Sequence, residues 1–355
     1  MLRWIGLLSL IVFLNNTLKA YQVDTSFSIA IYNDFYYQNN FNQSANPQQR
    51  LPFLFNHNQT KSFAINQALI SFTYKKKKVR AHIGLQAGSY ADATYGADSS
   101  YKYIYEASAG LNFSSNSNWW MDVGILPSYL GSESAISSQN LTLSRSLSAE
   151  NSPYYLMGIY TTYRPHPNWM VRGIINNGWQ KIIKSTNTGF GYGIQIQFHR
   201  DKLLFNYGNY YGNEGKPLTD RLNRFFNNFY IQYKGEKGTL NVGLDYGNQQ
   251  TVLNGMQTLI HWYNATFIKQ FHLHEKWNIA GRLEYYRDVY DLYIKNFSTG
   301  ETIGASINLD FKPTKSVLLR IEPKTLFASR NKLHRAGTEY HPVPSILVSC
   351  AVAIQ

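Results

Sequence analysis

The stretch Trp119–Gln180 reads WWMDVGILPSYLGSESAISSQNLTLSRSLSAENSPYYLMGIYTTYRPHPNWMVRGIINNGWQ. Trp119–Leu126 has the character of a strand, and Pro127 ends it because proline cannot donate to a ladder. The segment from Ser128 to Ser152 is serine-rich, with mostly small side chains. Two alternating runs follow, Tyr154–Tyr163 and Trp169–Trp179, joined by the tight turn Arg164-Pro-His-Pro-Asn168. Strands separated by one long polar loop and one short proline turn predict a transmembrane β-barrel whose long loop folds into its bore.

The same alternation extends outward in both directions. In Leu240–Tyr246, the residues Leu240, Val242, Leu244 and Tyr246 share one face, opposite Asn241, Gly243 and Asp245. Ile303–Phe311 sets Ile303, Ala305, Ile307, Leu309 and Phe311 against Gly304, Ser306, Asn308 and Asp310, and Phe190–Phe198 and Val79–Ala87 behave alike. A soluble sandwich also alternates, but its polar face usually carries more charge than this mix of Gly, Asn, Ser and Gln. Sixteen such runs are expected, at about 23–37, 62–75, 78–91, 101–114, 117–127, 153–164, 168–178, 188–199, 201–211, 223–234, 238–248, 258–270, 275–287, 300–311, 315–327 and 343–354. Short connections follow the even-numbered runs. Long polar ones follow the odd-numbered runs, at 38–61, 92–100, 128–152, 179–187, 212–222, 249–257, 288–299 and 328–342. An even strand count with alternating short and long connections is the pattern of an outer-membrane barrel.

Composition agrees. The chain carries 28 Tyr, 20 Phe and 7 Trp, yet its mean hydropathy is only −0.34. Aromatics set among Asn, Gly and Ser suit a wall that is apolar outside, polar inside and girdled at both interfaces. Trp119, Trp120, Trp169, Trp179, Trp262 and Trp277 fall near strand ends and are expected to anchor those girdles. Met1–Ala20 has a basic start, the apolar core Trp4–Leu14 and a cleavage-like Thr17-Leu-Lys-Ala20, which reads as an export signal ahead of one barrel domain spanning 21–355. The formal charge of +13 is scattered apart from Lys75–Lys78, which argues against a nucleic-acid face. The single cysteine, Cys350, excludes an intrachain disulfide framework and reads as a buried or lipid-facing thiol.

Three segments, Asp122–Ser134 (DVGILPSYLGSES), Ser144–Tyr155 (SRSLSAENSPYY) and Asn176–Gln180 (NNGWQ), resemble the OmpL-like outer-membrane β-barrel porin family. The resemblance covers about sixty residues and implies an outer-membrane porin whose third outer loop, Ser128–Ser152, narrows the bore. One feature departs from outer-membrane barrels in general: the chain closes on Ala351-Val-Ala-Ile-Gln355, without a terminal aromatic.

Candidate pore residues divide between loop and wall. The loop supplies Glu133, Arg145 and Glu150. Alternation puts Arg80, His82, Lys102, Arg172, Arg282, Arg320 and Lys324 on the polar face, with Asp34, Glu106, Asp122, Asp245, Glu284, Asp310 and Glu322. Arg282/Glu284 and Arg320/Glu322 are spaced as neighbouring pairs, so bracing of the wall and lining of a solute path both remain open for each residue. No nucleophile motif, phosphate loop or zinc spacing is present, and His272-Leu-His274 falls in an expected tight turn, so no enzyme, metal or cofactor is expected. The reading is a water-filled channel for passive diffusion of small hydrophilic solutes or ions, in the outer membrane of a Gram-negative-type bacterium. Its partners are that solute and outer-membrane lipid, with a homo-oligomer left open. A substrate-specific channel for an anionic or sugar-like solute is the alternative; a barrel enzyme or adhesin stands behind both.

Overall fold

The computed structural model describes residues 26–41, 53–95, 100–184, 189–215, 222–290, 292–294, 300–329 and 340–354. The expected export signal, 1–20, lies outside them. Sixteen strands form one closed antiparallel barrel. In chain order they are β1 (Phe27–Asn40), β2 (Phe63–Lys76), β3 (Val79–Ala87), β4 (Ile104–Asn112), β5 (Trp119–Pro127), β6 (Tyr155–His166), β7 (Trp169–Asn176), β8 (Gly191–Arg200), β9 (Leu203–Asn213), β10 (Asn223–Gly235), β11 (Gly238–Leu253), β12 (Met256–His274), β13 (Trp277–Asp288), β14 (Gly300–Thr314), β15 (Val317–Ser329) and β16 (Tyr340–Ile354). Each pairs with its neighbours in sequence, and β1 closes on β16 with Ile31 opposite Ile354 and Asp34 opposite Ala351. Closure leaves no strand edge unpaired.

The two faces of the wall invert the order of a soluble protein. Along β13 the exposed positions include Trp277, Leu283 and Tyr285, while Asn278, Arg282, Glu284 and Asp288 are buried. Leu283 and Ile307 each leave 59% of their surface bare. Apolar area left in water forgoes about 25 cal/mol per Å², and a hydrocarbon surround removes that cost. The outer face is therefore the lipid face, and the polar residues line the inside. Cys350 pairs in register with the exposed Phe35 and Leu319, on the lipid side.

Two expectations need correction. The connection 249–257 is not a long loop: β11 runs to Leu253, β12 starts at Met256, and Asn254-Gly255 alone turns the chain, with φ of 51° and 79°. Asn and Gly tolerate positive φ at both centres of a tight hairpin turn, which fixes register where polar Gln249, Gln250 and Thr251 look loop-like. The third strand stops at Ala87, after which Gly88 (φ 126°) leads into the short helix α1 (Ser89–Thr94). The fourth begins only at Ile104, so Lys102 is not on its polar face. It sits half-exposed in the preceding turn, paired with Asp92 at 2.8 Å.

Candidate functional site: the Ser128–Ser152 connection and the polar wall

Between β5 and β6 the chain makes a short 3-10 turn (Ser137–Gln139) and a helix α2 (Leu147–Asn151). Ser146 caps α2 by accepting from the Ala149 amide, and Glu133 accepts from the Ser146 amide and hydroxyl. A serine cap satisfies an otherwise unpaired amide of the first turn. Leu143 and Leu147 are fully buried. Small side chains elsewhere in the segment let its backbone come close to other groups.

Those groups belong to nine strands. The Tyr129 hydroxyl donates to the Asn209 carbonyl at 2.5 Å on β9, and Gln195 on β8 donates to the Tyr129 carbonyl at 3.2 Å. Asn228 accepts from the Gly131 amide, Asn241 donates to Ser132, and the Ser148 hydroxyl donates to Asp245. Gln270 on β12 donates to the Leu141 carbonyl at 3.4 Å. Glu284 accepts from the Leu147 amide at 2.6 Å, Asn308 from the Leu143 amide at 3.1 Å and Glu322 from the Ser144 amide at 2.5 Å. Arg320 donates to the carbonyls of Ser137, Asn140 and Thr142. On β1, Asp34 accepts from the Ser137 hydroxyl at 2.9 Å.

At the centre of this arc, Arg282 faces three carboxylates: Glu322 at 3.0 Å, Glu284 at 3.7 Å and Glu133 at 3.9 Å. It also donates to the Ser144 carbonyl at 2.5 Å and to the Thr142 hydroxyl at 3.0 Å. Lys324 reaches Glu284 at 3.2 Å, and Arg320 reaches Asp310 at 2.8 Å. Arg282, Glu284 and Arg320 are therefore struts. Buried charges survive only when paired and hydrogen-bonded, as these are. Glu150 is fully buried too, accepting from the amides of Phe55 and Asn56 and from the Tyr154 hydroxyl, and so ties the segment before β2 onto α2. Arg145 lies 4.3 Å over the Tyr154 ring and donates to the Glu133 carbonyl. Burial works against its charge, but Tyr154, Glu150 and Glu133 outweigh that and hold its pKa above the ordinary value.

The opposite arc is different. A cavity of ≈ 380 Å³ is lined by Lys75, Arg80, His82, Glu106, Asp122 and Arg172 among others. Arg80 is paired with Asp122 and stacks 4.3 Å over Trp120. Arg172 donates only to neutral groups, Thr162 at 3.0 Å, Gln195 at 3.1 Å and, at 3.9 Å, the Met170 sulfur. A second cavity of ≈ 220 Å³, lined in part by Glu133 and Arg145, shares Pro127 and Ser128 with the first.

The structure thus brings Glu133, Arg145, Glu150, Arg282, Glu284 and Arg320 into one braced region and Arg80 and Arg172 into an open one; Lys102 joins neither. The sequence missed the partner of Asp34. His57 Nε2 lies 3.0 Å from it, from a connection with no local signal for the pairing. The tryptophans also divide. Trp119, Trp169 and Trp277 are exposed at strand starts as girdle residues should be, whereas Trp120 and Trp262 are buried on the inner face and Trp179 packs inside against Tyr210 and Phe226. Adjacent residues of a strand point to opposite faces, so Trp119 and Trp120 could not share one role.

A closed sixteen-stranded barrel with an apolar outside and a polar, charged inside is the architecture of a porin. The chain belongs to the family described as "Putative beta-barrel porin-2, OmpL-like", whose model matches residues 26–353. Among solved structures it is similar to the outer membrane channel DcaP of Acinetobacter baumannii, at TM-score 0.65 and 10% identity, covering 92% of this chain and 97% of that one. An anion-selective porin from Comamonas acidovorans superposes at TM-score 0.61 and 10% identity, covering 93% and 100%. OprB of Pseudomonas putida does so at TM-score 0.61 and 8% identity, covering 93% and 95%. At such identities the likeness concerns the fold. No curated protein matches the chain.

Proposed function

We propose that this porin works by passive diffusion of small hydrophilic solutes and ions across the outer membrane of a Gram-negative-type bacterium, and that Ser128–Ser152 folds into the bore and narrows it. The observation that carries this reading is the set of hydrogen bonds from that segment to inward-facing side chains on β1, β8 and β10 to β15, with one more to the backbone of β9 at Asn209. Solute then passes on the side those bonds leave free, along the β3–β7 arc past Arg80, His82, Glu106, Asp122 and Arg172. In a narrow, partly desolvated passage fixed charges act through a lower effective dielectric than in bulk water. Arg172, paired with no carboxylate among the described residues, gives the passage a preference for anions. Such transport needs no bond making, catalytic group or cofactor. The apolar belt faces membrane lipid.

The test is single-channel conductance in a planar bilayer. Replacing 129–151 by a short glycine linker should raise conductance in a protein that still shows heat-modifiable migration. Unchanged conductance and ion selectivity in a folded, inserted variant would place the segment outside the pore.

A further inference from the structure

A group of stacked rings lies beside the Ser128–Ser152 segment, and its chemistry is incomplete. Tyr293 lies parallel to Trp262 (centroids 5.2 Å apart, planes at 13°) and to Phe226 (5.7 Å, 14°). Trp179 meets it edge-on at 6.0 Å. Gly247 on β11 seats the indole: a Cβ there would stand 2.1 Å from Trp262 Cε2. Trp262 is thus pressed flat on the wall, with Tyr293 stacked on it.

Two polar groups at this platform lack what an ordinary core would give them. Trp262 is fully buried, yet its Nε1 has no hydrogen-bond partner among the described residues. An indole N–H usually finds one when buried. Arg224, only 8% exposed, stacks over Trp179 at 4.8 Å and Trp262 at 5.7 Å, and its Nε donates to the neutral Gln249 at 2.8 Å. Among the described residues no carboxylate pairs with it, in contrast to Arg282 and Arg320. Among the described residues, Asp288 accepts from the Tyr293 and Ile294 amides at 2.7 and 3.2 Å, the Tyr293 hydroxyl donates to the Ser148 carbonyl at 3.1 Å, and the ring also stacks on Tyr286 at 6.3 Å.

We propose that Tyr293 occupies a solute-binding slot, and that a ring-bearing carboxylate of the benzoate class displaces it, stacking on Trp262 and Phe226 with its carboxylate on Arg224. The tyrosine ring and hydroxyl resemble the guest in shape. The anionic group supplies what the tyrosine lacks, a charge for Arg224 and an acceptor for the Trp262 N–H. The proposal deepens the channel reading above and rests on it.

The probe is 4-hydroxybenzoate, added to the full-length porin during planar-bilayer recording. It should reduce current in a saturable way, because Tyr293 displaced from the slot releases the Ser148 carbonyl and lets Ser128–Ser152 shift toward the β3–β7 side, while p-cresol, the same ring without the carboxylate, should not. Y293G removes the internal competitor and should lower the half-blocking concentration about tenfold, because the competent state is no longer shared. D288N, which weakens the tether and leaves the ring intact, should shift it the same way. R224Q should raise it about tenfold or more, as loss of a charged hydrogen bond does. Block by p-cresol equal to that by 4-hydroxybenzoate, or a half-blocking concentration unmoved in folded Y293G and D288N, overturns the proposal. If the protein conducts no ions at all, the channel reading fails separately. Tryptophan fluorescence of the folded protein in detergent then decides the slot. Quenching by 4-hydroxybenzoate that R224Q abolishes supports it, and no quenching in Y293G overturns it.

Discussion

Arg282 and Arg172 occupy equivalent inward positions on the alternating pattern, yet they meet different surroundings. Arg282 is 1% exposed, is ringed by Glu133, Glu284 and Glu322, and donates to a backbone carbonyl of the Ser128–Ser152 segment. Arg172 borders a cavity and, among the described residues, bonds to no such carbonyl. The wall alone does not distinguish them. What does is whether loop backbone, with fixed carbonyls and amides, reaches the guanidinium. A charged residue met by loop backbone becomes part of the brace, and one that borders the cavity, as Arg172 does, is the one the channel reading assigns to a permeating ion.

That contrast is most sharply broken at Arg282. R282M removes a cation that faces three buried carboxylates, and leaving buried charges uncompensated costs about 3–5 kcal/mol. The variant should unfold at clearly lower urea concentration, read by loss of heat-modifiable migration. A midpoint equal to the parent's would mean the cluster is hydrated and the brace is illusory. Truncation at Glu284 should follow the same course, because it loses Lys324, Arg282 and the Leu147 amide together.

At Arg172 the expected effect moves from stability to selectivity. R172E replaces a cation that pairs with no carboxylate among the described residues with an anion, in a cavity already lined by Glu106 and Asp122. The reversal potential under a salt gradient should shift toward cations, with the urea midpoint within about 1 kcal/mol of the parent, since Thr162 and Gln195 are neutral partners that water can replace. Were R172E to lose stability as R282M does while selectivity stayed fixed, the two arcs would have to exchange roles.

The barrel was legible in the sequence because its signal is local and repeated. A period of two in side-chain character, with turns of fixed length, marked all sixteen strands, and Leu240–Tyr246 lies on β11 facing as its alternation requires. The misread connection at 249–257 failed for a physical reason: above the membrane both faces of a strand can be polar, so Gln249-Gln250-Thr251 loses its alternation, and only Asn254-Gly255 betrays the hairpin. The site was less legible. Alternation located Arg282, Glu284 and Arg320 on the inner face, but whether each braces or lines depends on contacts between residues more than a hundred positions apart, such as Arg282 with Ser144. The pairing of Asp34 with His57 and the stack on Trp262 are of the same kind. No spacing along the chain encodes them.

Lys102 gives the smallest expected effect and the sharpest control. On alternation it belongs beside Arg172, as one more cation on the inner face. In the structure it precedes β4, pairs with Asp92 at 2.8 Å, and the two side chains are 31% and 64% exposed. An exposed charge already neutralised by a neighbour is screened within a Debye length of about 8 Å at physiological salt, so it exerts little field on ions at the cavity. K102Q should therefore leave the reversal potential where the parent has it, under the gradient in which R172E moves it. The comparison uses charge removal at both sites once R172Q is added, which should shift selectivity in the direction of R172E by a smaller amount. A shift in K102Q as large as that in R172Q would mean that the turn before β4 overhangs the passage. The residues that select ions would then sit at the mouth of the barrel rather than along the β3–β7 arc.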